Sequence, residues 1–270
     1  QKVQLDLDPY VPGKPIEEVA RELGLPVDDI IKLASNENPL GPSPLALAAL
    51  EKSLRNLHLY PDGNAFYLKE RLAQKLGVAP SNLILGNGSN EVLELVGHAL
   101  IAPGVETVVS QYAFVVYPIV TLLFGGRLVV VPARNYGHDL PAMARAITSR
   151  TRVVFVANPN NPTGTLAPAA DLLRLVHQVP PEVLLVVDEA YLEYLDEPAD
   201  LLPFIRDGQT PNLLLVRTFS KIYGLAGLRV GYGIGHPEFI AALEKVREPF
   251  NVNTAAQVAA LQGEEEPAER

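Results

Sequence analysis

The sequence Thr218-Phe219-Ser220-Lys221, with Arg229 eight residues further on, is the most informative part of this chain. It follows an apolar run, Leu213–Val216, that is typical of a buried strand. Lysine is rarely placed so close to a protein core without a partner or a task. Desolvation favours the neutral amine, which is a nucleophile toward an aldehyde. Because Ser220 and Arg229 are suited to hold a phosphate, the segment predicts an amine nucleophile beside an anion site.

The composition favours a globular chain with one large domain and part of a second. The chain has 270 residues, of which 48% are apolar, and no cysteine, which excludes disulfides and thiolate metal sites. A net charge of −9 argues against an electrostatic nucleic-acid binder. Residues 1–10 show no apolar signal segment, and no apolar run approaches the ~20 residues that span a bilayer. We therefore expect a soluble, cytoplasmic protein without nucleic-acid or membrane partners.

Short apolar runs alternate with helical stretches along most of the chain. The predicted strands are Asn82–Leu85, Thr107–Val109, Arg127–Val131, Arg152–Ala157, Val183–Val187, Leu213–Val216 and Val230–Ile234. The predicted helices are Ser43–Leu57, Phe66–Leu76, Glu91–Ile101, Phe114–Phe124, Leu140–Ile147, Ala167–Gln178, Pro237–Arg247 and Asn253–Leu261. Several strands are continuously apolar, as strands covered on both faces are. The alternation predicts an α/β fold with a mostly parallel sheet and helices on both faces, in which strand carboxyl ends share one edge.

Polar loops follow three of these strands, and the shared edge predicts that the loops meet in one cleft. They are Asn158–Gly164, Asp188–Tyr191 and Ser220–Lys221. Asp188 ends an apolar strand, and a buried carboxylate needs a partner. A protonated pyridine nitrogen is such a partner, and the carboxylate would keep it protonated as an electron sink. With the lysine and the anion site, this suggests pyridoxal phosphate, although Asp188 taken alone is more readily interpreted as a helix N-cap or structural acid.

The remaining motifs each have a functional and a purely structural interpretation. Gly86–Glu91 follows a strand and opens a helix, so it is a candidate phosphate cradle, but ordinary helix N-caps look the same. Asn161 and Tyr191 offer an amide and a phenol to a ring oxygen, whereas the Asn161 segment also fits a simple surface turn. Phe114 offers a ring either to stack on a cofactor or to pack in the core. The histidines show no metal-ligand spacing, so no metal site is predicted.

The order of these motifs resembles the fold-type I pyridoxal-phosphate aminotransferases. The motifs that carry this resemblance are Asn161–Gly164, Asp188–Tyr191 and Ser220-Lys221 with Arg229. Within that family the chain most resembles the histidinol-phosphate aminotransferases. The motifs that carry the closer resemblance are Pro9–Pro15, Ala34–Pro39, Tyr60–Gly63 and Arg217–Arg229. The resemblance runs from about Tyr10 to Leu261, which is nearly the whole chain.

The resemblance implies transamination between histidinol phosphate and 2-oxoglutarate, giving imidazole-acetol phosphate and glutamate in histidine biosynthesis. It implies that Lys221 bonds to the coenzyme aldehyde and transfers the proton, with Asp188 at the pyridine nitrogen and Tyr191 at the ring oxygen. The residues implied to hold the cofactor are Ser89, Asn90, Phe114, Asn161, Asp188, Tyr191, Ser220, Lys221, Arg229 and, from the neighbouring subunit of a homodimer, Tyr60. The residues implied to border the substrate are Tyr10, Asn36, Glu37 and Asn38.

The resemblance also divides the chain into an arm (residues 1–40), a large cofactor-binding domain (41–245) and the start of a small domain (246–270). Family members continue for about another domain, on the order of a hundred residues. We therefore expect a C-terminally truncated chain, and its activity at this length is left open. Three alternatives share the cofactor residues: an aromatic aminotransferase, a relative of threonine-phosphate decarboxylase, and a non-catalytic or inactive cofactor-binding fragment.

Overall fold

A seven-stranded sheet forms the centre of the structure, a computed structural model that describes residue 10 and residues 12–264. The strands are β1 (Leu83–Gly86), β2 (Glu106–Ser110), β3 (Arg127–Val131), β4 (Thr151–Ala157), β5 (Leu184–Asp188), β6 (Leu213–Thr218) and β7 (Gly231–Gly235). Their order in the sheet is β1-β7-β6-β5-β4-β2-β3. β7 runs antiparallel to both of its neighbours, and the other pairs are parallel. The mostly parallel sheet and all seven predicted strands are confirmed.

Helices connect the consecutive strands from β1 to β6. Those in the described part of the chain are α1 (Ile16–Leu23), α2 (Pro44–Ser53), α3 (Phe66–Leu76), α4 (Ser89–Leu100), α5 (Val116–Leu123), α6 (Leu140–Arg145), α7 (Ala169–Gln178), α8 (Leu202–Arg206), α9 (Pro237–Glu244) and α10 (Thr254–Gly263). The eight predicted helices are present, α3 with the predicted bounds and the other seven with shifted ends, and α1 and α8 were not predicted. Among the described residues, no helix combines the length and apolar character needed to cross a bilayer.

Apolar side chains bury both faces of the sheet. Along β5 and β6, Val187 and Leu215 point to one face, whereas Val186 and Val216 point to the other. Helices α4, α5 and α9 pack on the Val186 face, and α3, α6, α7, α8 and α10 pack on the Val187 face. Each fully buried side chain of this kind contributes about 1.5–3 kcal/mol relative to its exposed form. This two-sided burial explains why the strands are continuously apolar.

The ends of five strands lie along one edge of the sheet. Asp188, the last residue of β5, pairs with Ala157 at the end of β4 and with Val216 in β6. Gly231, the first residue of β7, pairs with Gly86, the last residue of β1. The loops that leave β1, β4, β5 and β6, and the segment that enters β7, therefore meet at this edge, as the sequence predicts.

The last described helix belongs to the body of the structure rather than standing apart. α10 packs against α2 and α3, and its Ala256, Ala259 and Ala260 are buried in the core on the Val187 face. The predicted domain boundaries at residues 41 and 246 remain predictions. Pro9 and Val11 of the N-terminal motif, and residues 265–270 of the predicted small-domain segment, lie outside the described residues.

Gly231 provides a test of the packing at this edge. A Cβ atom at this position would lie 2.4 Å from the backbone nitrogen of Ser89, which is too close for any real contact. We predict that Gly231→Ala lowers the free energy of unfolding by about 1–3 kcal/mol, because backbone on both sides blocks relaxation. Urea unfolding measures this.

The matched control is Gly227→Ala, because a Cβ there would meet no atom within 4 Å. Its free energy of unfolding is expected to stay within about 0.5 kcal/mol of the original. Equal destabilisation by Gly231→Ala and Gly227→Ala would contradict the close approach of β7 and α4.

Candidate active site

A cavity of about 270 Å³ opens at the carboxyl edge of the sheet. All of the predicted cofactor residues line it except Tyr60. Of the predicted substrate residues, Tyr10 and Asn36 line it, whereas Glu37 and Asn38 do not. The structure thus brings residues from distant parts of the sequence into one cavity, and the roles of the individual side chains remain predictions.

Lys221 projects into this cavity from the loop after β6. Its Nζ donates a hydrogen bond to the backbone oxygen of Ser35 at 3.0 Å and lies 5.5 Å from the centre of the Tyr191 ring. Burial lowers the pKa of the Lys221 ammonium, and the nearby Arg229 charge lowers it as well. The Glu37 carboxylate raises this pKa, but the net shift is downward. The lysine therefore holds a larger share of neutral, nucleophilic amine at neutral pH than an exposed lysine does.

Asp188 lies in the wall of the cavity and is only 5% exposed. The Tyr117 hydroxyl donates a hydrogen bond to Asp188 Oδ2 at 2.8 Å, and the Ala190 backbone N–H donates to Oδ1 at 3.1 Å. Burial raises the pKa of the Asp188 carboxyl, and these two hydrogen bonds oppose the shift. Both donors are neutral, so a positively charged nitrogen in the cavity would stabilise the ionised carboxylate further.

A positively charged corner forms where α4 begins. Gly88 precedes the helix with a φ of +82°, and a Cβ on it would lie 2.5 Å from Arg229 Nη2. The Arg229 guanidinium therefore sits against the amino terminus of α4, held by hydrogen bonds from Nη1 to Ser220 Oγ at 3.3 Å and to the Ala226 oxygen at 3.1 Å. The helix amino terminus at Ser89 carries partial positive charge as well. The Arg229 guanidinium and the amino terminus of α4 repel each other unless an anion binds to both.

The loop at residues 35–38 closes part of the cavity. Asn36 Nδ2 donates a hydrogen bond to the Tyr191 hydroxyl at 2.9 Å. Asn38 Nδ2 donates to the backbone oxygen of Ile222 at 2.8 Å, which ties the loop to the lysine segment. Burial raises the pKa of the Tyr191 phenol, so the ring keeps its proton at neutral pH. Asn38 therefore supports the wall from outside the cavity rather than lining it.

Two other predicted residues also lie away from the cavity. Glu37 forms an ion pair with Lys32 at 2.8 Å. Tyr60 is 82% exposed and stacks on Phe250 with ring centres 4.8 Å apart. Within a single chain, the structure does not place Tyr60 in the cavity.

Sequence reasoning missed Tyr117 and Ser35. Tyr117 is fully buried on α5 and stacks parallel on Phe155 with ring centres 4.9 Å apart. A phenol in an otherwise apolar helix needs a hydrogen-bond partner, and that was the available signal. Ser35 acts through its backbone oxygen, which no residue type reveals. Phe114, predicted to begin the helix, lines the cavity two residues before α5 begins.

The family of the chain follows from comparison with known proteins. The family model described as aminotransferase class I and II matches residues 28–270. The chain belongs to this family. It is 57% identical over 265 residues to histidinol-phosphate aminotransferase 2 of Nitrosospira multiformis, covering 96% of this chain and 67% of that relative. It is 58% identical over 259 residues to histidinol-phosphate aminotransferase of Moorella thermoacetica, covering 95% and 66% respectively.

A solved structure agrees with these relatives. The chain resembles the crystal structure of histidinol-phosphate aminotransferase from Sinorhizobium meliloti in complex with pyridoxal-5′-phosphate, with a TM-score of 0.87 and 31% identity. The match covers 98% of this chain and 70% of that one. These comparisons confirm the family and the fold that the motifs predicted. The chain spans about two thirds of the length of the curated relatives.

Glu193 provides a pH-dependent test of the electrostatics behind the cavity. It lies on the short 3₁₀ turn Leu192–Tyr194. Burial raises the pKa of the Glu193 carboxyl to about 7; the Arg217 charge opposes this rise, and the Glu264 charge adds to it. Since the pKa is higher in the folded chain than in the unfolded one, Glu193 destabilises the fold increasingly as pH rises from about 4.5 to 7.

We predict that Glu193→Gln raises the free energy of unfolding at pH 8 by about 1–2 kcal/mol and changes it much less at pH 4.5. Urea unfolding of both proteins at both pH values measures the difference. Glu197→Gln, at an exposed position four residues later, is the control, and its effect on the free energy of unfolding should be the same at both pH values. A Glu193→Gln effect that does not change with pH would contradict the partly buried placement of Glu193.

Proposed function

We propose that this chain carries the catalytic centre of a pyridoxal-phosphate-dependent aminotransferase that acts on histidinol phosphate and 2-oxoglutarate. The observation that carries the proposal is a single cavity that combines the Lys221 amine, the Asp188 carboxylate and the positive corner of Ser89 and Arg229. The products would be imidazole-acetol phosphate and glutamate, a step of histidine biosynthesis. Relatives at 57% and 58% identity whose names state this substrate support the substrate assignment.

The chemistry of the cavity fits the coenzyme in three places. The corner at Ser89 and Arg229 suits a phosphate, because the helix amino terminus at Ser89 and the Arg229 guanidinium both carry positive charge. Asp188, which receives only neutral hydrogen bonds from the described residues, suits a protonated ring nitrogen. Asn161 and Tyr191 offer polar groups to the ring oxygen, and Phe114 offers an aromatic face to the ring. When bound, pyridoxal phosphate supplies an electron sink for negative charge on the substrate carbon.

The chain's own residues then act as binders and as a proton carrier. Lys221 would hold the coenzyme through its amine, and as a free amine it would move a proton at the substrate carbon. Its lowered pKa favours both tasks, because the neutral amine is the form that attacks and that accepts a proton. Asp188 holds the ring nitrogen in its protonated form. Tyr10 and Asn36 line the same cavity and would border the substrate.

A homodimer is part of this proposal. Tyr60 is exposed outside the cavity of its own chain, as a residue that serves a neighbouring subunit would be. The aliphatic side chains of Leu57 and Leu59, three residues and one residue before Tyr60, are also exposed. An exposed aromatic and aliphatic surface of this kind supports the presence of a partner subunit. The cytoplasmic location remains a prediction from the sequence.

Lys221 provides the direct test of the proposal. We expect the purified chain to take up pyridoxal phosphate, and borohydride reduction to fix the coenzyme on a single peptide that contains Lys221, as read by mass spectrometry. In Lys221→Ala this labelled peptide should disappear, because no amine remains to bond to the aldehyde. Labelling of Lys221→Ala at the original level would refute the assignment.

Lys75→Ala is the matched control, because this lysine lies outside the cavity and its removal should leave the labelling unchanged.

A second experiment tests the substrate. When histidinol phosphate is added to the chain loaded with pyridoxal phosphate, the visible absorbance of the bound coenzyme should change within a single turnover. A faster conversion with an aromatic amino acid or with threonine phosphate would overturn the substrate assignment and leave the coenzyme assignment intact.

A further inference from the structure

Behind the cavity, on the opposite face of the sheet, Glu189 and Arg217 form a buried ion pair. Arg217 Nε donates to Glu189 Oε2 at 2.8 Å, and the two side chains are 12% and 3% exposed, respectively. The alternation of side chains along a strand explains their position. Asp188 and Thr218 line the cavity, so Glu189 and Arg217, one residue away from each, point to the other face. The pair therefore lies directly behind the residues that form the cavity wall.

The pair joins the two strand ends that carry the principal site residues. Glu189 follows Asp188 at the end of β5, and its backbone N–H donates to the Val216 oxygen of β6 at 2.8 Å. Arg217 is the next residue of β6, four residues before Lys221. A side-chain contact and a backbone hydrogen bond thus lock β5 to β6 where the strands end.

Stability alone does not account for an ion pair at this place. The same face of the sheet buries Val187 and Leu215 immediately beside it. Removing two charges from water offsets most of their mutual attraction, so a buried ion pair adds little net stability compared with apolar side chains of similar size. An apolar contact would hold the strands together but would permit several packings. A guanidinium and a carboxylate accept only a narrow range of geometries.

Other ionisable groups surround the pair. Those that face Glu189 or Arg217 from neighbouring elements, apart from Asp188 in the cavity, are Tyr232 of β7, Glu193 of the 3₁₀ turn and Asp200 of the loop before α8. Burial raises the pKa of Glu189, and the Arg217 charge opposes that rise. Tyr232 and Glu193 flank Arg217, so the guanidinium has polar neighbours on more than one side.

We propose that Glu189 and Arg217 are positioning residues, and that their ion pair sets the spacing between the Asp188 carboxylate and the Lys221 amine from behind the sheet. This inference rests on the proposed function, because the spacing matters only for a coenzyme that contacts both groups. Neither residue touches the cavity. Their effect is on alignment, which in a catalytic site changes rate even for sub-ångström displacements.

The experiment compares Glu189→Gln with Glu106→Gln in the chain loaded with pyridoxal phosphate. Glu106 is a matched control, because it is also buried and pairs with arginines, at 3.1 Å with Arg127 and 2.7 Å with Arg150. It begins β2, at the amino end of the strand, whereas the cavity lies at the carboxyl edge. Both variants should lower the midpoint of thermal unfolding.

Only Glu189→Gln should alter the site. We expect the pH midpoint of the visible absorbance of the bound coenzyme to move by about half a unit or more. We also expect the single-turnover rate with histidinol phosphate to fall about tenfold, with a much smaller change in the substrate concentration that gives half the maximal rate. If Glu189→Gln does not fold, Arg217→Lys, which keeps the charge but loses the planar fork, is used for the same measurements.

The outcomes separate a positioning role from a merely structural one. An unchanged pH midpoint and rate in a Glu189→Gln protein that is as destabilised as Glu106→Gln would overturn the inference. A shift of equal size in both variants would overturn it as well. If the unaltered chain does not take pyridoxal phosphate onto Lys221, the proposed function itself fails, and this inference fails with it. Loading in the original chain with no effect of the Glu189 or Arg217 substitutions overturns the inference alone.

Discussion

A carboxylate buried at the end of a central strand is the constraint on which the rest of the site depends. Asp188 ends β5 in the wall of the cavity, where burial opposes its charge. The protein supplies neutral hydrogen-bond donors, among them the hydroxyl of Tyr117. This accounts for a tyrosine in the apolar helix α5. It also determines which ligands fit, because a cation above the carboxylate would stabilise it and an anion there would be repelled.

The cavity carries charge of opposite sign in two places. The carboxylate of Asp188 makes one part negative, and the Arg229 guanidinium with the amino terminus of α4 makes another part positive. A ligand with a protonated ring nitrogen and a phosphate matches both parts. Lys221 adds an amine whose pKa is lowered by burial. These three features come from the ends of β1, β5 and β6 and from the segment that enters β7, so the sheet edge is what brings them together.

The sequence predicted those parts of the fold that rest on local pattern. The strands are continuous apolar runs because both faces of the sheet are covered, and this made them recognisable. α1 and α8 were missed because they are short and bury few side chains. The antiparallel direction of β7 depends on pairing with β1 and β6, which no local pattern encodes.

In the candidate site too, residues with a local sequence signal were predicted, and residues that depend on distant contacts were missed. Lys221 and Asp188 were predicted because each is a charged residue at the end of an apolar run. Tyr117 was missed because its partner lies 71 residues away in the sequence. The Glu189–Arg217 pair was missed for the same reason, since it requires the register of β5 against β6. Glu37, Asn38 and Tyr60 were included by resemblance, and within one chain they lie outside the cavity.

The Asp188→Asn substitution tests whether the Asp188 carboxylate serves a protonated ring nitrogen. The amide keeps the size of the side chain and removes its charge. We expect Asp188→Asn still to take up pyridoxal phosphate on Lys221, while its single-turnover rate with histidinol phosphate falls by about 100-fold or more. Tyr117→Phe keeps the carboxylate and loses one hydrogen bond, so its single-turnover rate should fall by only about tenfold. A near-normal rate for Asp188→Asn would show that the negative charge at position 188 is not needed at the ring nitrogen.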